Sequence, residues 1–387
     1  MKLAIVHERL DVLGGAERVL LAMHDVFPHA PIYTSFTNLD VLPDTFRSMD
    51  IRTSPMQKLP GWIKRYNDKL LPFYMLAFQD FDLTEYDVVL SSSYLAAKSV
   101  LTSSNTCHIC YCHTPMRFAW DLYPEYIRGN SSLIKPGVRL LLQYFRLWDV
   151  QTSNNVDYFI ANSNQVRRRI HKHYRRDSTV IYPPADTERF CVAEEQEDYY
   201  LVVSRLVPYK RIDLAIEACN QLQRPLYVIG AGREKARLEK LAGPTIQFLG
   251  WRPDEEVAYH LSRARALIFP GEEDFGILPV EAQASGTPVI AFGRGGALET
   301  VEPGRTGVFF YEQTVESLAN AVQQLEQQTF DRHYIAQQAR QFDIRIFRQR
   351  LEAFVTSCYR RFLTECEGRA VTFAPIDSTE AAPPPRR

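Results

Sequence analysis

The chain has 387 residues, with 45 basic against 46 acidic side chains and a formal net charge of −1. Its 45% hydrophobic and 24% charged residues exclude a fibrous or largely disordered protein and leave room for two or three domains of about 150 residues. The near-zero charge argues against a chain-wide nucleic-acid binder, and the longest largely apolar run, Leu70 to Phe78 with Pro72 inside it, falls well short of the ~20 residues that cross a bilayer.

At the N-terminus, Glu8, Arg9 and Asp11 interrupt the stretch where a signal peptide would place its apolar region, so a cytoplasmic location is expected. Short β-type runs are predicted at 2–7, 32–36, 88–92, 107–112, 158–161 and 179–182. A second series follows at 200–204, 226–229, 246–249, 266–269, 289–292 and 307–310. Helical periodicity intervenes, for example over 16–26, 212–221, 234–241, 255–263 and 315–327, and returns over 346–366. Alternation of this kind predicts an α/β fold with parallel sheets covered by helices on both faces. Twelve strands exceed one comfortable open sheet, so two doubly wound, Rossmann-like domains are expected. The boundary is placed at Pro183-Pro184-Ala185-Asp186: domain one over 1–185, domain two over 186–345, a helix over 346–366, and a disordered tail over 367–387 carrying Pro383 to Pro385. Residues 1–190 hold 22 basic and 19 acidic side chains and the remainder 23 and 27, so the N-terminal half is the more basic.

Several segments carry chemistry. Gly14-Gly15-Ala16-Glu17, between the first strand and first helix, allows close backbone approach and offers helix N-terminal amides to an anion; its spacing is not that of a dinucleotide fingerprint. Residues 58–74 mix Lys58, Lys64, Arg65 and Lys69 with Trp62, Tyr66, Phe73 and Tyr74, a composition that suits either an anionic membrane surface or a helix packed on its own domain. Asp80-Phe81-Asp82 matches a short metal-binding pattern but precedes its strand, away from the C-terminal strand ends where open sheets bind ligands, and reads as a loop. Cys107, Cys110, Cys112 and His113 invite a metal reading; a buried strand explains the cysteines better, and an odd total of seven cysteines suggests reduced thiols. His113, in His113-Thr114-Pro115-Met116-Arg117, ends that strand at an expected cleft.

In the second half, Arg205 and Lys210 follow a strand and can neutralise a diphosphate, Arg as a planar fork and Lys as a point charge. Gly230-Ala231-Gly232 is either a tight strand-to-helix turn or a ligand loop. In the segment from Phe269 to Gly286, Glu273 and Glu281 flank Gly276, Ile277 and Leu278, which places helix N-terminal amides between two carboxylates.

Taken together, Gly14-Gly15, His113-x-Pro115, the Arg205/Lys210 pair, and Glu273-x7-Glu281 with Phe275-Gly276 resemble family 4 retaining glycosyltransferases of the GT-B fold over about residues 1–365. Within the family, the stretches 110–117 and 268–276 look most similar to the O-antigen and exopolysaccharide mannosyltransferases. The resemblance implies two facing domains, with the last helix crossing back to the first. It implies a nucleotide-diphospho-sugar donor, GDP-mannose favoured over a UDP-sugar, with no tightly bound cofactor and no metal. Arg205 and Lys210 would stabilise the leaving diphosphate. Glu281 would hold the ribose and Glu273 the sugar hydroxyls. Gly276, Ile277 and Leu278 would supply backbone contacts, Gly14 and Gly15 would cap the phosphates, and His113 would sit near the reacting carbon. Trp251 and Arg252 occupy the region where the family reads the base. The acceptor would be a glycan or polyprenyl-linked glycan, reached at the inner face of the plasma membrane. Two alternatives compete: an NAD-dependent oxidoreductase, which lacks its complete glycine fingerprint here, and a non-catalytic sugar-nucleotide-binding subunit of a membrane assembly.

Overall fold

The protein is described by a computed structural model over residues 1–60, 71–129, 131 and 134–370. The basic-aromatic stretch of 58–74 therefore lies mostly outside the described residues, as does the tail from 371 on.

Among the described residues, thirteen strands form two wholly parallel sheets. The first contains β1 (Leu3–His7), β2 (Ile32–Thr34), β3 (Ile51–Thr53), β4 (Val88–Ser93), β5 (Cys107–Cys112), β6 (Tyr158–Ala161) and β7 (Ser178–Val180), in the order β3-β2-β1-β4-β5-β6-β7. The second contains β8 (Tyr200–Val203), β9 (Leu226–Ile229), β10 (Ile246–Gly250), β11 (Ala266–Phe269), β12 (Val289–Phe292) and β13 (Gly307–Phe310), in the order β10-β9-β8-β11-β12-β13. Both orders reverse direction once, beside β1 in one sheet and β8 in the other. That reversal is the switch point of a doubly wound fold, where crossovers diverge and leave a crevice at the carboxyl ends of the strands.

The central strands are buried on both faces, so they read as continuous apolar runs without alternation. Strand β3 escaped the sequence reading. It has three residues, sits at the sheet edge and carries exposed Arg52, so it lacks an apolar run. Cys107 belongs to the core on one face of β5, while Cys110 and Cys112 belong to the core on the other, so the three thiols do not converge.

In the first domain the helices are α1 (Gly15–Val26), α2 (Leu71–Ala77), α3 (Tyr123–Arg128), α4 (Lys135–Thr152) and α5 (Asn164–Tyr174). The second has α6 (Ile212–Leu222), α7 (Lys235–Leu241), α8 (Asp254–Arg263), α9 (Ile277–Ala284), α10 (Ala297–Thr300), α11 (Val315–Glu326) and α12 (Arg332–Ala339). The last helix, α13, runs over Ile344–Ala370 and so extends into the predicted tail. Its Phe347, Leu351, Val355 and Cys358, spaced three and four apart on one helical face, pack into the core formed by Leu3, Ile5, Val19 and Met23. Burying such side chains contributes roughly 1.5–3 kcal/mol each for the larger ones, which anchors α13 to the first sheet.

The chain passes between the domains twice, and the two passages are joined. Ala185 N–H donates to Phe342 O at 3.0 Å, and Ile344 N–H donates to Ala185 O at 2.9 Å. Asp343, 3% exposed, accepts from the Thr187 hydroxyl and from Arg345 N–H.

Candidate active site

The register of the first sheet builds one wall. Parallel pairing of β1 with β4 sets His7 opposite Ser92, and pairing of β4 with β5 sets Ser93 opposite Cys112, so His113 emerges at the same sheet end. The result is a hydrogen-bonded row. Glu17 Oε1 lies 3.4 Å from His7 Nε2, His7 Nδ1 is 3.0 Å from Ser92 Oγ, and Ser92 Oγ is 2.8 Å from His113 Nε2. With the His7 proton placed on Nε2, Glu17 accepts from Nε2–H, Ser92 donates to His7 Nδ1, and Ser92 accepts from His113 Nε2–H. This assignment follows from the partners. It leaves His113 Nδ1 as a free acceptor. Burial pushes the His113 imidazole down to about 3, so it stays neutral. Burial alone would raise the Glu17 carboxyl, but the hydrogen bond from His7 and that from Gly14 N–H outweigh it and hold the group below its ordinary value.

The row ends at the glycine loop. Gly14 N–H donates to Glu17 Oε2 at 2.8 Å, which folds the loop onto α1. A Cβ added to Gly15 would come 3.3 Å from Ile277 Cδ1, so this loop faces the start of α9 across the cleft.

The opposite wall comes from the second sheet. Lys210 follows β8, Glu273 follows β11, and the two side chains pair directly. The backbone at Gly271 passes over Lys210: a Cβ there would come 3.1 Å from Lys210 Cα. Gly276 has φ +85°, a left-handed turn open to glycine, and begins α9 with the amides of Ile277 and Leu278 unpaid by any earlier helical turn. Gly295 and Gly296 support the acidic loop from behind. Side chains there would collide with the backbone of Glu273 and Phe275, and Gly296 N–H donates to Glu273 O at 2.9 Å. Burial raises the Glu281 carboxyl above its usual range, with Arg18 and Arg189 only partly offsetting it.

Three polar bridges cross the cleft. Arg18 of α1 reaches Asp254 at 2.6 Å and Glu281 at 3.7 Å. Arg169 of α5 pairs with Asp274, and Arg117 lies 3.6 Å from the same carboxylate. Glu299 accepts from the backbone amides of Asn164 and Gln165 at 2.8 and 3.0 Å, capping α5 from the other domain.

Several of the predicted site residues thus meet: Lys210 with Glu273, Gly15 with Ile277, and Gly14 with His113 through Glu17, His7 and Ser92. Others stand apart. Arg205 is exposed and donates to the Tyr209 hydroxyl at 3.0 Å. Trp251 is 71% exposed and Arg252 pairs with Glu256. The Gly230 and Gly232 positions have a packing reason: side chains there would collide with the carbonyls of Ser204 and Leu206. Asp82 caps its own loop by accepting from Thr84.

Two Rossmann-like domains facing each other across a polar cleft are the architecture of a GT-B glycosyltransferase. The comparisons agree in kind. The model of "Glycosyltransferase Family 4" matches residues 13–189, and that of "Glycosyl transferases group 1" matches residues 184–342. The chain belongs to the family 4 glycosyltransferases and is a transferase. It is 24% identical to the alpha-1,3/1,6-mannosyltransferase ALG2 of Dictyostelium discoideum, over 83% of this chain and 88% of that one. A shorter match, 32% identical over 37% of this chain and 45% of the relative, is to a GDP-mannose-dependent alpha-(1-6)-phosphatidylinositol monomannoside mannosyltransferase of Mycobacterium tuberculosis. Among solved structures, Anabaena HepE in complex with UDP superimposes with a TM-score of 0.68 at 18% identity, covering 92% of this chain and all of that one.

Proposed function

We propose that the protein transfers a hexose, mannose from GDP-mannose, to a glycan or lipid-linked glycan acceptor in polysaccharide biosynthesis, with retention of anomeric configuration. The observation that carries this reading is the pairing of Lys210 with Glu273 beside the α9 N-terminus, opposite the Gly14-Gly15 loop. Breaking a sugar–phosphate bond builds negative charge on the departing diphosphate. A fixed ammonium and free helix amides aimed at that charge favour the transition state. Lys210 serves the diphosphate together with Arg205, whose side chain must swing in from solvent. Glu273, once Lys210 turns to the donor, accepts from sugar hydroxyls. Glu281 accepts from the ribose, and neutral His113 offers Nδ1 to a hydroxyl near the reacting carbon. Support for mannose comes from the two mannosyltransferase relatives; HepE, a neighbour in fold, carries UDP.

The test is a thermal-shift panel of GDP, UDP, ADP and their sugars, followed by mass spectrometry of the product. GDP-mannose should raise the melting temperature most. Lys210→Ala should lower turnover by about a hundredfold or more, and Glu273→Ala should abolish transfer while retaining nucleotide binding. Wild-type turnover in either variant would sink these assignments.

The reading includes peripheral contact with an anionic membrane. Among the described residues no helix is long and apolar enough to cross a bilayer. Support for surface contact comes from α4, whose Leu140, Tyr144 and Leu147 recur three and four residues apart and are exposed by 73%, 54% and 62%. Exposed Arg139 accompanies them, and the helix's one acidic residue, Asp149, is buried. An apolar stripe beside cations, free of exposed carboxylates on the same helix, suits an anionic interface.

A further inference from the structure

A cavity of about 470 Å³ opens beside the reaction centre, between the loop after β5, helix α5 and the loops after β11 and β12. Its size lies in the range of about 300–1,000 Å³ usual for small-molecule sites. Five arginine or lysine side chains line it against three carboxylates. The carboxylates are largely committed: Asp121 pairs with Arg169, and Glu125 with Arg128 at 3.1 Å. Arg169 and Arg117 are paired as well, with Asp274 among their partners, but the other three cations are not. Arg168 bonds only to Gln165, and neither Lys172 nor Arg294 has an ion pair among the described residues. Arg117 Nε is buried without a hydrogen-bond partner there. Arg168, Lys172 and Arg294 are exposed at the rim and free to meet an anion, and forked arginines match planar carboxylates and phosphates.

Position adds to composition. The cavity wall is joined to the proposed reaction centre at two points: Arg169 donates to the Thr114 hydroxyl at 3.2 Å, next to His113, and Glu272 of the lining precedes Glu273. Most of the lining comes from the first domain, and neither Lys210 nor Glu281 takes part. The cavity therefore lies apart from the groups assigned to the donor.

We propose that this cavity is the acceptor subsite and that it takes an oxyanion on the acceptor sugar, a uronate carboxylate or a phosphate ester, held by Arg168, Lys172, Arg117 and Arg294. The inference rests on the glycosyltransferase reading of the cleft and adds the acceptor's chemistry to it. The acceptor is then a charged glycan, and its anion fixes which hydroxyl is presented near His113.

The experiment is isothermal titration of the full chain with methyl glucuronide, glucose 6-phosphate and, as neutral control, methyl glucoside. At least one anionic probe should bind about tenfold or more tightly than the glucoside, and the stronger of the two identifies carboxylate or phosphate. Arg168 and Lys172 are exposed on α5, so Arg168→Gln/Lys172→Gln should fold normally and lose that preference. GDP or UDP should leave probe binding in place. Equal binding of charged and neutral probes, an unaffected double variant, or displacement of the probe by nucleotide would each overturn the proposal. Nucleotide binding sensitive to Lys210→Ala, measured on the same samples, tests the donor reading separately.

Discussion

Two histidines on β5 and its exit are kept neutral by burial, and their partners determine where each proton sits. His108 Nδ1–H donates to Asn155 O at 2.8 Å, so its Nε2 accepts from the Ser91 hydroxyl at 2.8 Å. Burial pushes its pKa down to about 4, and that of His113 down to about 3. A second proton on His108 would point N–H at the Ser91 hydroxyl, which is already donating, and burial disfavours the charge on either ring. In the unfolded chain both rings titrate near 6.5. Below that value the unfolded state binds protons that the folded state refuses, so stability rises with pH through this window and is lost on acidification. Each imidazole contributes up to about 1.4 kcal/mol per pH unit until its folded pKa is reached. Melting curves from pH 7.5 to 5 should therefore show a steep fall in melting temperature. His108→Gln, whatever its starting stability, should have a shallower slope; an unchanged slope would mean that other groups set the acid limit. The same physics keeps His113 uncharged throughout the physiological range, suited to fixed hydrogen bonding and not to proton transfer near neutrality.

At the scale of elements, the sequence reading succeeded where one apolar run meets one strand. The central strands and most helices of the second domain follow the predicted ranges within a residue or two, because each buries a contiguous apolar segment. It missed α4 for a physical reason. Leu142, Phe145 and Trp148 face the core while Leu140, Leu141, Tyr144 and Leu147 face solvent, so the helix is apolar on both sides and its periodicity points nowhere. The site divides in the same way. Lys210, Glu273 and the Gly276 turn could be named as candidates from the sequence because each lies in a loop after a strand or opens a helix. His7, Glu17 and Ser92 were not, because their row depends on the β1–β4 register across 85 residues of chain. Arg18, Asp254, Asp274 and Glu299 were invisible until the two domains faced each other. The solvent-facing row of α4 also predicts behaviour. Vesicles containing anionic lipid should sediment the protein at low salt, while vesicles of neutral lipid should not. Leu140→Glu/Leu147→Glu, both at exposed positions, should abolish that binding without lowering the melting temperature. A concentration-dependent dimer that the double variant dissolves, with no vesicle binding, would instead assign this face to a second copy of the chain.

For the molecule as a whole, the two kinds of interdomain connection differ in strength and therefore in role. The paired passages at Ala185 and Asp343 use backbone hydrogen bonds and a nearly buried carboxylate, which the hydrogen bonds from Thr187 and Arg345 hold below its usual pKa against the opposing effect of burial. They form a short strap that keeps the domains together in any state. The contacts across the cleft are ionic: Arg18 engages Asp254 and Glu281, and Arg169 engages Asp274. Arg18 thus holds Glu281, the carboxylate proposed for the ribose, so donor binding under that proposal must exchange this partner. Interfaces between domains that are small and polar open readily, and hydrogen bonds to charged groups contribute only about 1.5–3 kcal/mol each. Asp254→Asn/Asp274→Asn removes the carboxylates that hold Arg18, Arg117 and Arg169 across the cleft while leaving the strap and Lys210 intact. Small-angle scattering of this variant should give a larger radius of gyration than the wild type at equal salt. Raising ionic strength should expand the wild type in the same direction, though less, because Arg169 is only 7% exposed and is weakly screened. Identical scattering from both proteins would mean that apolar contacts hold the cleft shut, and that substrate entry needs a larger rearrangement than an exchange of ion pairs.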